Sequence, residues 1–293
     1  MPTTTEEFCV VVPCFNEEAS VETTLAAISD TLKDAAPYRI IAVDDGSTDR
    51  TTAILDDLSK RLPQLIVIHH DFNRGYGASL KSGIRQSDAE IIVITDADGS
   101  YPIDMIPTLL TAMADADMVV GARTGANVTY SRIRRIPKFF LTAYCSWITK
   151  TKIPDINSGL RAIKKSAVDK FLHILPSGFS FTTTITVALL TNDYRVHFVP
   201  IDYAARIGVS KIQPIRDTLR FCQLIVRTGI YFAPLRAFAP VIALCVVGFL
   251  TTLGYDIFVN DNITDKTLVM LAFTLNTTFF ALLADLIDKR LGR

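Results

Sequence analysis

Short apolar runs alternate with amphipathic segments along the first third of this chain. The apolar runs are residues 8–13, 39–43, 65–68 and 91–94. The amphipathic segments between them lie near residues 18–34, 49–61 and 76–86. Short continuous apolar runs of this kind are typical of strands that are buried on both faces of a parallel sheet. The pattern therefore predicts an α/β domain with a mainly parallel sheet.

Two longer apolar stretches lie near the C-terminal end. Residues 237–255 and 267–284 contain no charged side chain. As helices, each would be roughly 27 Å long, close to the hydrocarbon thickness of a bilayer. We predict a two-helix transmembrane hairpin with spans at about 237–258 and 267–287. The polar Asn276, Thr277 and Thr278 of the second span are expected to hydrogen-bond across the hairpin.

The charges around these stretches predict their orientation. Basic residues flank the outer ends, whereas the connection 256–266 is short and mostly acidic. By the positive-inside rule, both termini and the N-terminal domain lie in the cytoplasm of an integral membrane protein, in the plasma membrane if the source is prokaryotic. The polar segment 1–7 does not read as a signal peptide. Two buried helices of a soluble domain are the alternative.

The net charge of zero is an average over three unlike regions. Residues 1–122 contain 8 basic and 20 acidic side chains, residues 123–236 contain 18 and 5, and residues 237–293 contain 4 and 5. This excludes a uniformly basic nucleic-acid binder, and we expect no nucleic-acid partner. The asymmetry favours a metal-dependent site in the first region and an anionic substrate or surface for the second, against chance segregation of solvated charges.

Polar clusters follow three of the predicted strands, at residues 13–18, 44–49 and 96–100. Ligands of parallel sheets bind beyond the carboxyl ends of the strands, where these clusters would meet. Asp44 and Asp45 can accept hydrogen bonds from a base or ribose. Asp96 and Asp98 lie on one side of an extended strand end, which suits a hard divalent cation, although an isolated Asp-x-Asp is also common in surface turns.

The basic middle region contains one further predicted strand and two candidate helices. Residues 117–123 read as a strand that ends in Arg123. Basic residues lie beside an aromatic cluster over 130–150, and an amphipathic helix is predicted at 213–234. Both segments suit helices in the headgroup region of a membrane, and burial against a protein core explains their apolar faces equally well.

Four motifs in a fixed order carry a family resemblance. They are residues 11–18 (VVPCFNEE), 43–49 (VDDGSTD), 73–77 (NRGYG) and 96–98 (DAD). The set resembles family 2 glycosyltransferases of the GT-A fold, most of all the polyprenyl-phosphate sugar synthases of the dolichol-phosphate mannose synthase-like group. The resemblance covers roughly residues 8–232, and the hairpin is similar to the tails of several members.

The resemblance implies a nucleotide-diphosphate sugar donor and Mg²⁺ or Mn²⁺ as the cofactor. The nucleotide and donor site is assigned to Pro13, Asn16, Glu17, Asp44, Asp45, Arg74, Lys81 and Asp96. The metal site is assigned to Asp96, Asp98 and Ser100, where Ser100 replaces a Gln of the mannose synthases. A hydroxyl can still ligate a metal, either directly or through water.

Two more segments are similar to family elements near the acceptor. Residues 155–161 (DINSGLR) contain a Ser-Gly-x-Arg element, and residues 206–211 (RIGVSK) resemble a loop that closes over phosphates. The acceptor and phosphate site is assigned to Arg123, Arg132, Arg135, Ser158, Arg161, Arg206, Ser210 and Lys211. The catalytic set is Asp98, Asp155, Arg206 and Lys211.

The function expected from these features is inverting transfer of a hexose from a UDP- or GDP-sugar to a polyprenyl phosphate. The acceptor phosphate is already anionic, so Asp155 would orient sugar hydroxyls or a cationic side chain. If the acceptor were a hydroxyl of another lipid or a saccharide, Asp155 would be a candidate base. The other alternative is a non-catalytic membrane subunit that binds nucleotide sugars.

The predicted domains are 1–212 for the catalytic domain, 213–234 for the interfacial helix and 235–293 for the hairpin. A homo-oligomer through the hairpin is a further expectation.

Overall fold

The computed structural model describes residues 8–35, 37–126, 135–205, 223 and 227–291, with side chains throughout these ranges except for 135–140 and 288–291. The chain divides into two compact units. The first comprises Met1–Ala143 and Thr151–Ile212, and the second comprises Tyr144–Lys150 and Gln213–Arg293. The functional domain boundaries stay a prediction.

The first unit is built on a mixed, mostly parallel sheet in the order β3-β2-β1-β4-β6-β5-β7. Its strands are β1 (Phe8–Cys14), β2 (Tyr38–Asp44), β3 (Leu65–His69), β4 (Ile91–Ile94), β5 (Met118–Ala122), β6 (Arg161–Lys164) and β7 (Val196–Pro200). Strands β1 to β4 are mutually parallel, β6 is antiparallel to both of its neighbours, and β7 is parallel to β5.

Helices cover both faces of this sheet. They are α1 (Val21–Leu32), α2 (Thr51–Arg61), α3 (Tyr76–Gln86), α4 (Ile106–Ala112), α6 (Lys165–Phe171) and α7 (Phe181–Thr191). A further helix, α5 (Arg135–Thr149), follows β5 in the chain. Alternate residues of β1 are buried on opposite faces of the sheet. Val10 and Val12 pack with α1, α2 and α4, whereas Val11 packs with α3, α6 and α7. Two buried faces explain why the strands are apolar throughout rather than alternating.

The α/β fold prediction is confirmed, and α3 begins and ends at the predicted residues. Strands β6 and β7 were not predicted. Their sequences, RAIK and VHFVP, contain charged or polar residues and are only four and five residues long. Such segments give no periodic signal of their own and become strands only because the neighbouring β4 and β5 provide hydrogen-bond partners.

Gly83 allows α3 to lie directly on β1. A Cβ atom added at Gly83 would come within 2.4 Å of a Cγ atom of Val11. Val11 is fully buried in the interior of the sheet, and its branched side chain has little freedom to move. A side chain at position 83 would therefore push the helix away from the sheet.

We expect Gly83→Ala to lower the free energy of unfolding by about 1–3 kcal/mol through overpacking. The sign of this change distinguishes overpacking from helix propensity, because Gly→Ala at an unhindered helix position raises the free energy of unfolding by up to about 1 kcal/mol. Gly178→Ala is the control, since a Cβ atom there has no neighbour within 4 Å. Thermal unfolding of both variants in detergent measures the difference, and a stabilised Gly83→Ala protein would contradict the packing argument.

The second unit contains two long apolar helices, α8 (Pro234–Tyr255) and α9 (Asp265–Leu291). By length and composition, Pro234–Asn260 and Asp265–Ile287 could each cross a membrane. In the most apolar 18-residue segment of each, 6% and 17% respectively is buried inside the protein. Low burial distinguishes these helices from core helices of a soluble domain. This agrees with the predicted hairpin of two candidate spans.

Asp256 closes the connection between the two helices. Its carboxylate accepts hydrogen bonds from the backbone N–H of Thr264 at 2.7 Å, from the hydroxyl of Thr267 at 2.7 Å and from the amide of Asn260 at 2.9 Å. These bonds hold both ends of the short connection to one group.

The prediction of hydrogen bonds across the hairpin is wrong for two residues. The hydroxyls of Thr277 and Thr278 donate to carbonyls of their own helix, at Phe273 and Thr274. A backbone carbonyl one turn earlier is always within reach of a helical threonine, so no partner helix is required.

Most of the predicted interfacial helix 213–234 lies outside the described residues. The part that the structure describes includes residues 227–232, which are helical, with Thr228 buried and Tyr231 exposed. Its location at a membrane interface, the oligomer and the orientation of the hairpin remain predictions.

Candidate active site

The candidate site lies at the carboxyl ends of the central strands. Strand β1 has β2 on one side and β4 on the other, and the connections from these strands leave in opposite directions along the sheet. A crevice forms at such a point because the loops after the two central strands diverge. The three predicted polar clusters follow β1, β2 and β4 and therefore meet there.

The loop after β1 is hydrogen-bonded to the loop after β2 and to the start of α2. The side-chain carbonyl of Asn16 accepts a hydrogen bond from the N–H of Thr48 at 2.7 Å, and the N–H of Asn16 donates to the Ser47 hydroxyl at 3.0 Å. The N–H of Glu17 donates to Thr51 at 2.8 Å. Asn16 has a left-handed backbone (φ 52°), which Asn tolerates better than most residues.

Asp44 is buried at the end of β2 and is surrounded by donors. Its carboxylate accepts hydrogen bonds from the N–H of Ser47 at 3.0 Å and the hydroxyl of Thr52 at 2.6 Å, and His69 Nδ1 lies at 3.2 Å. Burial raises the pKa of Asp44, but these hydrogen bonds outweigh burial and hold the pKa below its ordinary value. Asp44 is therefore held ionised as a support for the loop.

Asp45 organises the glycine-containing loop before α3. Its Oδ1 accepts a hydrogen bond from the N–H of Arg74 at 2.9 Å, and its Oδ2 accepts one from the N–H of Gly75 at 2.8 Å. Gly75 has φ 101°, and a Cβ atom there would lie 2.6 Å from the carbonyl oxygen of Ser177. Arg74 is exposed and contributes its backbone N–H to this network.

Lys81 has a contact within the protein, and its assignment to the donor site stays a prediction. Its ammonium group donates to the carbonyl of Leu175, on the segment after α6. Position 81 lies more than one turn beyond the helix start at Tyr76.

Asp96 and Asp98 follow β4 and are supported by different neighbours. The hydroxyl of Tyr76 donates to Asp96 at 2.9 Å, whereas Ser100 donates to Asp98 through its N–H at 3.1 Å and its hydroxyl at 2.5 Å. Gly159 lies against Asp96, and a Cβ atom there would come within 2.9 Å of both carboxylate oxygens. The glycine thus gives this carboxylate room at the strand end.

These oxygen donors fit a divalent cation such as Mg²⁺ or Mn²⁺. Two carboxylates and one hydroxyl are hard oxygen ligands. So small a number of protein ligands is expected when water and phosphate oxygens complete the coordination shell. Within the described residues, no group of three or more His, Cys, Asp or Glu side chains could hold a metal on its own. The hydroxyl of Ser100 points at Asp98, so it orients that carboxylate.

Asp155 forms a buried ion pair with Arg123. The Nε atom of Arg123 lies 2.6 Å from Oδ2 of Asp155, and its Nη2 lies 3.1 Å from Oδ1. Asp155 is fully buried, and the guanidinium of Arg123 also lies 5.0 Å from the ring centre of Tyr203. Of the roles left open for Asp155, the structure shows the orientation of a cationic side chain.

Arg161 and Ser158 lie in the interior next to this pair. Arg161 is fully buried and donates to the carbonyls of Ser158 and Thr182 and, at 3.1 Å, to the hydroxyl of Thr186. Burial lowers the pKa of Arg161 to about 10. The donors of Arg161 are turned to groups inside the protein, and its assignment to phosphate binding stays a prediction. The buried hydroxyl of Ser158 has no hydrogen-bond partner among the described residues.

Four assigned residues lie outside the described residues, namely Arg132, Arg206, Ser210 and Lys211, and the side chain of Arg135 also does. Their assignments stay predictions.

Three residues of the site were missed by sequence reasoning: Tyr76, His69 and His70. The histidines had a readable signal, because His69-His70 ends one predicted strand as Asp44-Asp45 ends the neighbouring one. Tyr76 had none, since its contact with Asp96 depends on how α3 packs.

We expect Asp44→Asn to lower the free energy of unfolding by about 1–3 kcal/mol near neutral pH, because the buried donors lose a charged acceptor. The pKa of Asp44 is lower in the folded protein than in the unfolded chain, where it is about 3.9. The ionised carboxylate therefore adds to the free energy of unfolding above about pH 3.9, and this contribution is lost as the pH falls through the pKa of the folded state. The difference from wild type should therefore narrow below about pH 4.

Urea unfolding at several pH values measures this difference. Asp34→Asn removes an exposed carboxylate and controls for net charge. A difference between wild type and Asp44→Asn that grows on acidification would contradict the assignment.

Comparison with known proteins identifies relatives over most of the chain. The family described as Glycosyl transferase family 2 matches residues 9–172. Polyprenol monophosphomannose synthase of Mycolicibacterium smegmatis is 31% identical over 220 residues, covering 71% of this chain and 82% of the relative. Dolichyl-phosphate hexose transferase of Haloferax volcanii is 29% identical over 213 residues, covering 72% and 89%.

A solved structure has the same fold. Glucosyl-3-phosphoglycerate synthase from Mycobacterium tuberculosis, in complex with uridine diphosphate, superposes with a TM-score of 0.59 over 76% of this chain and 79% of that chain. The two sequences are 18% identical, so this likeness concerns the fold. The same protein was solved with Mn²⁺ and UDP-glucose.

Proposed function

Because this chain belongs to glycosyltransferase family 2, we propose that it transfers a hexose from a nucleoside diphosphate sugar to a polyprenyl phosphate. Family membership confirms the predicted resemblance, the enzyme class and the GT-A type of α/β fold. The observation that carries the proposal is the pair Asp96 and Asp98 at the end of β4, beside the nucleotide loops after β1 and β2. The acceptor class is that named for the relatives.

The donor binds with its nucleoside on the loops after β1 and β2. Asn16 and Glu17 are held there by backbone hydrogen bonds, and Asp45 shapes the neighbouring loop. These contacts fix the loops before the ligand arrives, which reduces the ordering cost of binding.

The diphosphate lies beside Asp96 and Asp98, which would hold Mg²⁺ or Mn²⁺. The bound cation supplies charge stabilisation for the departing diphosphate. Ser100 keeps Asp98 in a fixed orientation through two hydrogen bonds, so little reorganisation is needed during the reaction.

Transfer proceeds by attack of an acceptor phosphate oxygen on the anomeric carbon. A new carbon–oxygen bond forms while the bond to the diphosphate breaks, and the nucleoside diphosphate leaves with inversion at that carbon. No strong base is required because the acceptor oxygen is already anionic. Arg123, oriented by Asp155, offsets the repulsion between the two anions, and we assign Arg206 and Lys211 to the same task.

The hairpin holds the enzyme at the membrane that contains its acceptor. With basic residues at both outer ends, we place the termini and the catalytic domain in the cytoplasm, where nucleotide sugars are available.

A direct assay tests the proposed reaction. We expect purified full-length protein to form an acid-labile sugar phospholipid from undecaprenyl or dolichyl phosphate with at least one of UDP-glucose, UDP-galactose, GDP-mannose or GDP-glucose, in the presence of Mg²⁺ or Mn²⁺. Dolichol without its phosphate is the control acceptor. Product formed only on a hydroxyl acceptor would overturn the acceptor class, and absence of product with every donor and acceptor would overturn the proposed reaction.

The metal assignment has its own test. We expect Asp98→Asn to lower kcat by about 100-fold or more, which corresponds to about 2.7 kcal/mol of lost transition-state stabilisation. Asp104→Asn removes an exposed carboxylate from the next turn of the chain and should retain activity. Matching thermal unfolding of the two variants would show that the loss is catalytic. An Asp98→Asn protein with full turnover would contradict the assignment.

A further inference from the structure

His70 lies next to Asp45 because of the register between two parallel strands. In that register His69 of β3 pairs with Asp44 of β2. The next residues along each strand, His70 and Asp45, then meet at the carboxyl edge of the sheet, where Nδ1 of His70 lies 2.7 Å from Oδ1 of Asp45. Both are buried, with 9% and 3% of their surface exposed.

The second ring nitrogen of His70 is also bound. Its Nε2 lies 2.9 Å from the hydroxyl oxygen of Ser82 on α3. A carboxylate only accepts hydrogen bonds, so Nδ1 carries the proton directed at Asp45. In the neutral ring, Nε2 then accepts from Ser82, and both hydrogen bonds together fix the ring orientation.

The Asp45 carboxylate binds both ends of the loop 71–75. The loop leaves the sheet directly after His70, which donates to Oδ1. It returns at Arg74 and Gly75, whose N–H groups donate to Oδ1 and Oδ2. Gly46 lies under the loop, since a Cβ atom there would come within 2.6 Å of the Phe72 backbone. Rotation of the carboxylate would break contacts at both ends of the loop.

The loop itself presents exposed side chains. Phe72, Asn73 and Arg74 are all exposed, with Phe72 at 67%. An aromatic ring, an amide and a guanidinium provide a stacking surface and hydrogen-bonding groups of the kind that bind a nucleoside. The neighbouring loop after β1 carries the proposed nucleotide contacts.

We propose that His70 is a positioning residue for the donor site, which holds Asp45 so that loop 71–75 keeps the shape that receives the nucleoside. This inference rests on the proposed function and names a residue for that same site. His70 acts through Asp45 and touches neither the transferred sugar nor the diphosphate. Its loss should therefore weaken nucleotide binding and leave the chemical step intact.

The test compares two substitutions of His70 in the full-length protein. His70→Leu removes both hydrogen bonds, and we expect it to raise the KM for the nucleotide sugar and the Kd for UDP or GDP by about tenfold, with kcat changed by less than about twofold. His70→Asn keeps a side-chain N–H near the position of Nδ1 and should restore both constants to within about threefold of wild type. Calorimetric titration with UDP and GDP gives Kd without turnover.

Two further variants complete the design. Ser82→Ala removes only the second hydrogen bond of the ring and should raise Kd by less than His70→Leu does. His173→Leu removes an exposed histidine and is the control. If His70→Leu does not fold, Ser82→Ala decides: a raised Kd for UDP or GDP at unchanged kcat supports the proposal, and an unchanged Kd overturns it.

The remaining outcomes are distinct for the two proposals. Wild-type protein that binds neither UDP nor GDP would overturn the proposed function. Wild-type protein that binds a nucleotide, with unchanged Kd and KM in folded His70→Leu, would overturn the role of His70. A fall in kcat at constant KM would also overturn it, because a positioning residue for the nucleoside does not act on the chemical step.

Discussion

The burial of two adjacent carboxylates, Asp44 and Asp45, at the end of β2 is the constraint on which the site depends. Buried charges are stable only when hydrogen-bond donors replace the lost water. Asp44 takes its donors from the loop after β2, from α2 and from His69 of β3, and Asp45 takes its donors from His70 and the loop before α3. The same contacts that stabilise the charges therefore connect the loop after β2 to the loop after β3.

A second buried pair has the corresponding role on the other side of β4. Asp155 holds Arg123 by two side-chain contacts, and Arg161 ties the segment before β6 to α7. Between the two clusters lie Asp96 and Asp98, each oriented by a neighbouring hydroxyl. The order of charge across the edge is thus acidic and then cationic, which matches a donor with a metal-bound diphosphate beside an anionic acceptor.

Sequence reasoning predicted the parts of the fold whose signal is local. Strands β1 to β4 are apolar runs, and α3 has a helical period that begins at a glycine-containing turn. Strands β6 and β7 were missed because short segments with charged or polar residues acquire strand structure from their neighbours. The burial of Arg161 was also not predicted, since nothing in a Ser-Gly-x-Arg element tells whether the arginine lies at the crevice or inside the protein.

The sequence by itself determined the fold class, the two apolar C-terminal helices, the family and the loops that form the site. These depend on periodicity, on uninterrupted apolar length and on motifs, all of which are properties of neighbouring residues. Tertiary structure alone decided which atoms meet: Asp155 with Arg123, Tyr76 with Asp96, and His70 with Asp45. Each pair joins residues that are 20 or more positions apart, and only strand register and helix packing bring such residues within hydrogen-bond distance.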